Sequence, residues 1–304
     1  MASLVKPRDF HRLSPAWNVI FNLIAGLFAL ACVFPFLFVT IISFTDENTL
    51  ANNGYSLWPE KWSIEAYRYL FKAADQLMRS YGITIFVTVV GTAISLVFIS
   101  LFAYAISRKG FKYRNFFSFL AFFTMLFNGG LVPTYIVVTK LLNLQNSIWA
   151  LILPLSVNAF YIMIMRTFFS TMIPDAIIES GKIDGAGEFG IFLRLVIPLA
   201  LPGLATIALF STLGYWNDWF NALLYIEDPS LVPLQSMLMR IENSMQFILQ
   251  NSNNPSLGAG VLQSMPQDTS RMAMVVLATG PIVLAYPFFQ RYFIQGLTVG
   301  AVKE

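Results

Sequence analysis

Apolar positions along this chain fall into long unbroken runs, and the polar positions are gathered between them. Six stretches carry no charge over the length of a membrane-spanning helix: 16–44, 83–106, 115–139, 147–165, 195–217 and 272–290. A helix rises about 1.5 Å per residue, so about 20 apolar residues cross a hydrocarbon core about 30 Å thick. One such run would fit a buried core helix, but six in one chain predict a polytopic, all-α membrane protein. The first run is too long for a cleavable leader and lacks a small-x-small exit before Thr45-Asp46-Glu47. The third is interrupted by Asn128-Gly129-Gly130 and Pro133. A span ending near Asn128 is expected there, followed by a short interfacial helix over about 132–142 with Lys140 at the headgroups. The organisation expected is a leader over 1–15, a transmembrane domain over 16–293 and a tail over 294–304.

Composition agrees: 57% of the residues are hydrophobic and only 12% charged, against about 25% charged in a soluble chain. Too little charge remains to cover a soluble surface. The net charge of +3 gives no ground for nucleic-acid binding, and the basic residues cluster at span ends instead. Lys6, Arg8 and Arg12 precede the first run, and Arg108, Lys109, Lys112 and Arg114 fill the turn after the second without an acid. By the excess of Lys and Arg on the inner side, both termini, the turn at 108–114 and the loop at 166–194 face the cytoplasm. Segments 45–82, 141–146 and 227–271 then face outward.

Catalytic chemistry is missing. The single Cys32 and single His11 allow neither a disulfide, nor a metal site built on several imidazoles, nor a Cys/His pair within the membrane. Ser180-Gly181-Lys182 faintly resembles a phosphate loop, but Ala176 stands where a Gly is required and Ile183 where a Ser or Thr is. No catalytic residue and no metal ligand is assigned. Carboxylates within spans, the usual mark of ion coupling, are nearly absent. Asp218, in Tyr215-Trp216-Asn217-Asp218-Trp219, comes nearest, and serves either interfacial water between Trp anchors or a pathway.

The informative segment is the inner loop at 173–202. Pro174 suits a helix start, Asp175 and Glu179 complement its positive end, and Asp184-Gly185 ends it with a left-handed Gly. A second short helix through Phe189 and Phe192 leads to Pro198 and the fifth run. Small residues (Ser180, Gly181, Gly185, Ala186, Gly187) permit close approach. By itself this pattern also fits an amphipathic loop packed on its own bundle.

Glu179-Ser180-Gly181, three residues, Gly185, nine residues and Leu195-Val196-Ile197-Pro198 resemble the E-A-A, G, I-x-L-P signature of ABC-importer permeases. Ser180 and Gly181 replace the two Ala, and both are small. The tail from Tyr292-Phe293 through Gly296-Leu297 to Gly300-Ala301-Val302-Lys303 is similar to the ending of the carbohydrate-uptake, maltose-permease-like members. Trp216-Asn217 resembles their fifth-span W-N. The runs from Gly129 to Tyr135 and from Met165 to Phe169 resemble the oligosaccharide and polysaccharide branch.

This resemblance, over about 14–303, implies the type I importer permease fold and half of a pore. It also implies a coupling helix in which Pro174, Glu179, Ser180, Gly181, Asp184, Gly185, Ala186 and Phe189 meet an ATP-binding subunit dimer. Gly296, Gly300 and Lys303 would approach that dimer, although anchoring of the span end accounts equally for the tail. ATP and Mg²⁺ would be bound by the partner, with no cofactor in this chain. Further partners implied are a second permease, of different sequence in the carbohydrate relatives, an extracytoplasmic solute-binding protein and membrane lipid. Asn128, Asn158, Tyr161, Trp216, Asn217 and Asp218 are candidates for a carbohydrate path, each equally suited to interhelical hydrogen bonding. The alternative class, a stand-alone secondary sugar transporter, requires an ion-coupling group and a paired repeat, and the sequence shows neither.

Overall fold

The computed structural model describes residues 15–250 and 267–301. The helices are α1 (Pro15–Ser43), α2 (Glu47–Asn53), α3 (Glu65–Leu70), α4 (Ala74–Ser107), α5 (Arg114–Leu126), α6 (Leu131–Ile136), α7 (Trp149–Ser156) and α8 (Ala159–Met172). They continue with α9 (Asp175–Ile183), α10 (Glu188–Ile191), α11 (Ile197–Leu199), α12 (Leu201–Trp216), α13 (Phe220–Tyr225), α14 (Leu234–Gln250) and α15 (Asp268–Ala301).

Three helices are long and apolar enough to cross a membrane unbroken: Ala16–Ser43, Ala74–Ser107 and Asp268–Ala285. The other expected spans are bent pairs, with 113° between Arg114–Leu126 and Leu131–Leu141, 48° between Trp149–Ser156 and Ala159–Met172, and 81° between Glu188–Leu199 and Leu201–Trp216. The first bend falls at the expected interruption, where Gly130 takes φ +88. The other two depart from the uninterrupted spans expected. At the 48° bend Asn158 leaves the helix and accepts the Phe160 and Tyr161 N–H groups at 2.9 and 3.3 Å, so a new helix starts and runs on to Met172. At the 81° bend Ala200 separates α12, with Pro202 in its first turn, from a helix that begins at Glu188, well before the apolar run. Apolar runs locate the spans but not their caps, and α4 likewise starts upstream of its run at Ala74.

The chain divides into two compact units. One holds the residues up to 70 and a segment ending at 276. In it the large apolar side chains of α1 are mostly exposed from Trp17 to Leu37, whereas Ile42 near its end is buried. Asp46 caps α2 by accepting from the Thr49 N–H, and pairs with Lys61 at 3.2 Å. Glu47 accepts from the backbone N–H groups of Asp268 and Thr269 at 3.0 Å each, and from Thr269 Oγ1 at 2.6 Å, so it supplies the cap of α15 from far along the chain.

The other unit is organised on α4, which packs against α12, α8, α7, α5 and α14. Its core joins Ile99, Ala103 and Ile106 of α4 with Ile162, Met165 and Phe169 of α8 and Ile207 of α12. In α15, Pro281 has no N–H for the Leu277 carbonyl, and the Tyr81 hydroxyl donates to that oxygen at 2.7 Å instead. The segment at 227–271 contains a 17-residue helix, α14, that the apolar pattern does not mark. Its stretch at 251–266 lies outside the described residues.

Candidate coupling site

The loop at 173–202 folds as a helix, a left-handed turn and a second helix. Pro174, with φ −59 and ψ 138, sets the entry to α9, and Asp175 stands in its first turn. Ile178 and Gly181 face inward and are buried. Gly181 is held so closely that a Cβ there would meet Leu195 Cδ1 at 3.0 Å and Ile191 Cγ1 at 3.1 Å. The helix ends as expected: Gly185 takes φ +77, its N–H donates to the Lys182 carbonyl at 3.0 Å, and the Ala186 N–H reaches back to Gly181 at 2.9 Å. Those two bonds form the Schellman arrangement, which satisfies the last carbonyls of α9.

Charged contacts tie this loop to the preceding turn and to itself. Lys109 lies 2.7 Å from Asp175, and Lys182 lies 2.6 Å from Glu188 across the Gly185 turn. The Tyr104 hydroxyl donates to Glu188 Oε2 at 3.3 Å, with the Arg108 guanidinium 5.1 Å above the Tyr104 ring. The same ring packs on Phe169 and Phe192. The hydrogen bond from Lys109 holds the Asp175 carboxyl below its ordinary range, and the one from Lys182 does the same for Glu188. A cleft of about 520 Å³ lies between this turn and the loop, lined by Tyr104, Arg108, Asp175, Glu179, Lys182 and Glu188. Lys109 and Arg108 were legible only as orienting charges, because the partner carboxylate is distant in sequence.

The opposite side of the loop is free. Ser180, Asp184, Gly185 and Ala186 are exposed, as is Glu179 in the cleft wall, and two large apolar side chains stand out, Ile183 at 86% and Phe189 at 64% exposure. All eight expected coupling residues lie in this one loop, with Pro174 at its entry. Gly296 and Gly300 lie on α15, which runs as helix to Ala301, and Lys303 lies outside the described residues.

The path candidates stand at breaks in the helices. Asn128 accepts from the Gly130 N–H at 2.8 Å in the break after α5, and Asn158 is the cap of α8. Tyr161 stacks on Phe210 with centroids 6.0 Å apart. Trp216 is buried and donates from Nε1 to the Ala278 carbonyl at 2.9 Å, the geometry of a packing residue. Exposed Asn217 donates to the Leu213 carbonyl, and Asp218 accepts from the side chain of Asn221 at 2.9 Å and from its N–H at 3.2 Å. Each except Tyr161 therefore already commits a side-chain polar atom to the fold.

Residues 96–299, more than half of the chain, match the family described as the binding-protein-dependent transport system inner membrane component. The chain belongs to this family. The matched stretch contains the whole of α9 and α10 and every path candidate. Among relatives, the polygalacturonan/rhamnogalacturonan transport system permease protein YtcP of Bacillus subtilis is 42% identical over 91% of this chain and 94% of its own length. Protein LplC of the same organism is 39% identical over 96% of this chain and 95% of its own. A bacterial ABC transporter involved in the import of the acidic polysaccharide alginate has a chain that superposes with TM-score 0.76 at 29% identity, covering 93% of this chain and 99% of that one. This protein is thus a permease of the ABC-importer fold, a transport subunit rather than an enzyme, and an inner-membrane component of a system with further subunits. Family membership also removes the stand-alone secondary transporter from consideration.

Proposed function

We propose that this permease forms half of the pore of an ATP-driven oligosaccharide importer and receives the ATPase stroke through α9 and α10. The observation that carries the reading is the two-sided build of the loop. One side is fixed to the core through Ile178, Gly181, Ile191 and Phe192, while the other exposes Ile183 and Phe189. A lever must be stiff along its length and bare where it is pushed, since a soft loop would absorb the displacement. In this reading an ATP-binding subunit dimer carries ATP and Mg²⁺ and docks on that bare side. Gly296, Gly300 and Lys303 approach it from the tail. A second permease of different sequence completes the pore, and an extracytoplasmic binding protein delivers the sugar.

Orientation follows the basic residues, with both termini and the turn at 108–114 cytoplasmic. Two relatives are named for polygalacturonan/rhamnogalacturonan and alginate transport, which supports an acidic oligosaccharide as cargo. Asn128, Asn158, Tyr161, Asn217 and Asp218 are proposed to border its path, with buried Trp216 supporting them. The test is reconstitution of the purified complex with its binding protein. Uptake of oligogalacturonides at the expense of ATP is expected, and Phe189→Ala combined with Ile183→Ser should release the ATPase subunits from the membrane fraction. Full retention of those subunits by the double variant would sink the docking assignment. Uptake confined to neutral oligosaccharides would sink the cargo assignment.

A further inference from the structure

A second cleft, of about 420 Å³, lies beside the first, at the ends of α4, α5 and α8. It is lined by Arg108, Lys109, Arg114 and Arg166, with the hydroxyls of Ser170 and Thr171. Asp175 is the one carboxylate in its wall, and it is already paired with Lys109. Four cations around one paired acid leave a strong excess of positive charge. Arg166 sharpens the point: its Nε is buried without a hydrogen-bond partner. Among the described residues no carboxylate pairs with Arg166 or Arg114. A buried donor left unpaired is costly, and the positive charge gathered around it calls for an anion with several acceptor oxygens.

We propose that this cleft seats the phosphate of an anionic phospholipid headgroup. The chemistry shared with a soluble phosphate is the tetrahedral anion held by guanidinium and ammonium donors, since the Ser170 and Thr171 hydroxyls already donate to the Arg166 and Thr167 carbonyls. The lipid source is favoured by the helix that Arg114 begins: within its first two turns stand Phe116 and Phe119, 61% and 63% exposed. A phosphate continuous with acyl chains satisfies both surfaces, whereas a free phosphate satisfies the cations alone. The cleft also includes Ser107, Lys109, Pro174 and Asp175, so a headgroup there bridges the end of α4 and the start of the coupling helix. Basic pockets between helices at a membrane surface hold headgroups in this way, and each cation there contributes about fivefold in affinity. The inference uses family membership only to place the helices in a membrane, and it is independent of the cargo.

The experiment is native mass spectrometry of the full detergent-solubilised transporter, titrated with phosphatidylglycerol, phosphatidylcholine of matched chains, and inorganic phosphate. Phosphatidylglycerol should be retained about tenfold better than phosphatidylcholine, and inorganic phosphate should not displace it. Arg114→Gln with Arg166→Gln should abolish the preference. Thr171→Glu, at an exposed position, should do the same by adding a negative charge without removing a packed arginine. Equal retention of the two lipids, or a preference untouched by Thr171→Glu, would overturn the site. Displacement by inorganic phosphate would overturn the lipid source.

Discussion

Lys182 and Glu188 face each other at 2.6 Å across the left-handed turn at Gly185, and the Tyr104 hydroxyl reaches the same carboxylate from the core. The pair joins α9 to α10 where the chain reverses, and Tyr104 joins both to α4. More than half of each side chain is exposed, so the pair adds little to overall stability. Its expected contribution is stiffness of the loop. Glu188→Gln should leave the thermal unfolding temperature nearly unchanged and lower substrate-stimulated ATP hydrolysis in the reconstituted complex several-fold. The exchange Lys182→Glu with Glu188→Lys should restore part of that loss. Equal stimulation in the wild type and in Glu188→Gln would show that the bridge plays no part in coupling.

Gly185 tests the same loop through its backbone. With φ +77 it sits where an L side chain costs about 1–2 kcal/mol, and a β-branched one more. A Cβ built there meets nothing within 4 Å, so the penalty is conformational and not steric contact with neighbours. Gly185→Asn should therefore retain most transport, because Asn tolerates this region, while Gly185→Val should uncouple ATP hydrolysis from uptake. Uptake assays on proteoliposomes decide it. Full activity in the Val variant would mean that the turn tolerates remodelling.

That turn was readable in advance because Asp-Gly after an amphipathic stretch has one dominant backbone solution. The six apolar runs were readable for a similar reason, since their length is dictated by the bilayer. The bends at Asn158 and Ala200 were not, because an uncharged polar or small residue inside an apolar run does not declare whether it caps a helix or faces a neighbour. Glu47 was hidden by distance: its partner N–H groups, at 268 and 269, lie more than two hundred residues on. Trp216 was legible as a residue of interest but not as a buried donor to Ala278, since the sequence carries no record of which carbonyl it meets. The cleft around Arg166 shows the same limit, as its cations come from separate segments.

The loop should loosen in acid. Asp175 is held below its ordinary value of 3.8 by Lys109, and Glu188 below 4.5 by Lys182. A carboxyl with a depressed folded value contributes stability that is fully present above its unfolded value and is lost as pH falls through the folded one. Protection of the 175–188 amides from hydrogen exchange, corrected for intrinsic rates, should be flat from pH 7 to about 5 and fall below about 4. Lys109→Met together with Lys182→Met should weaken protection at neutral pH and flatten that acid dependence. Identical profiles in wild type and variant would show that the two ion pairs do not hold the loop.

The packing of α4 against α12 supplies the last prediction. A Cβ on Gly91 would stand 2.5 Å from Tyr215 Cζ, so the bare Cα is what lets the ring lie against α4. Seated there, the Tyr215 hydroxyl donates its one proton to the Ile152 carbonyl at 2.9 Å and accepts from Ser95 Oγ at 3.2 Å. Gly91→Ala gains helix propensity but must push the ring away and strand that carbonyl. Overpacking of this kind costs about 1–3 kcal/mol, against about 1 kcal/mol for Tyr215→Phe, which removes the hydroxyl and keeps the ring. The order of stability by thermal unfolding in detergent should be wild type, then Tyr215→Phe, then Gly91→Ala. Truncation by Tyr215→Ala makes room for the new methyl, so adding Gly91→Ala to it should cost little further. Strict additivity of the two changes would mean that the ring and the glycine do not meet in the folded permease.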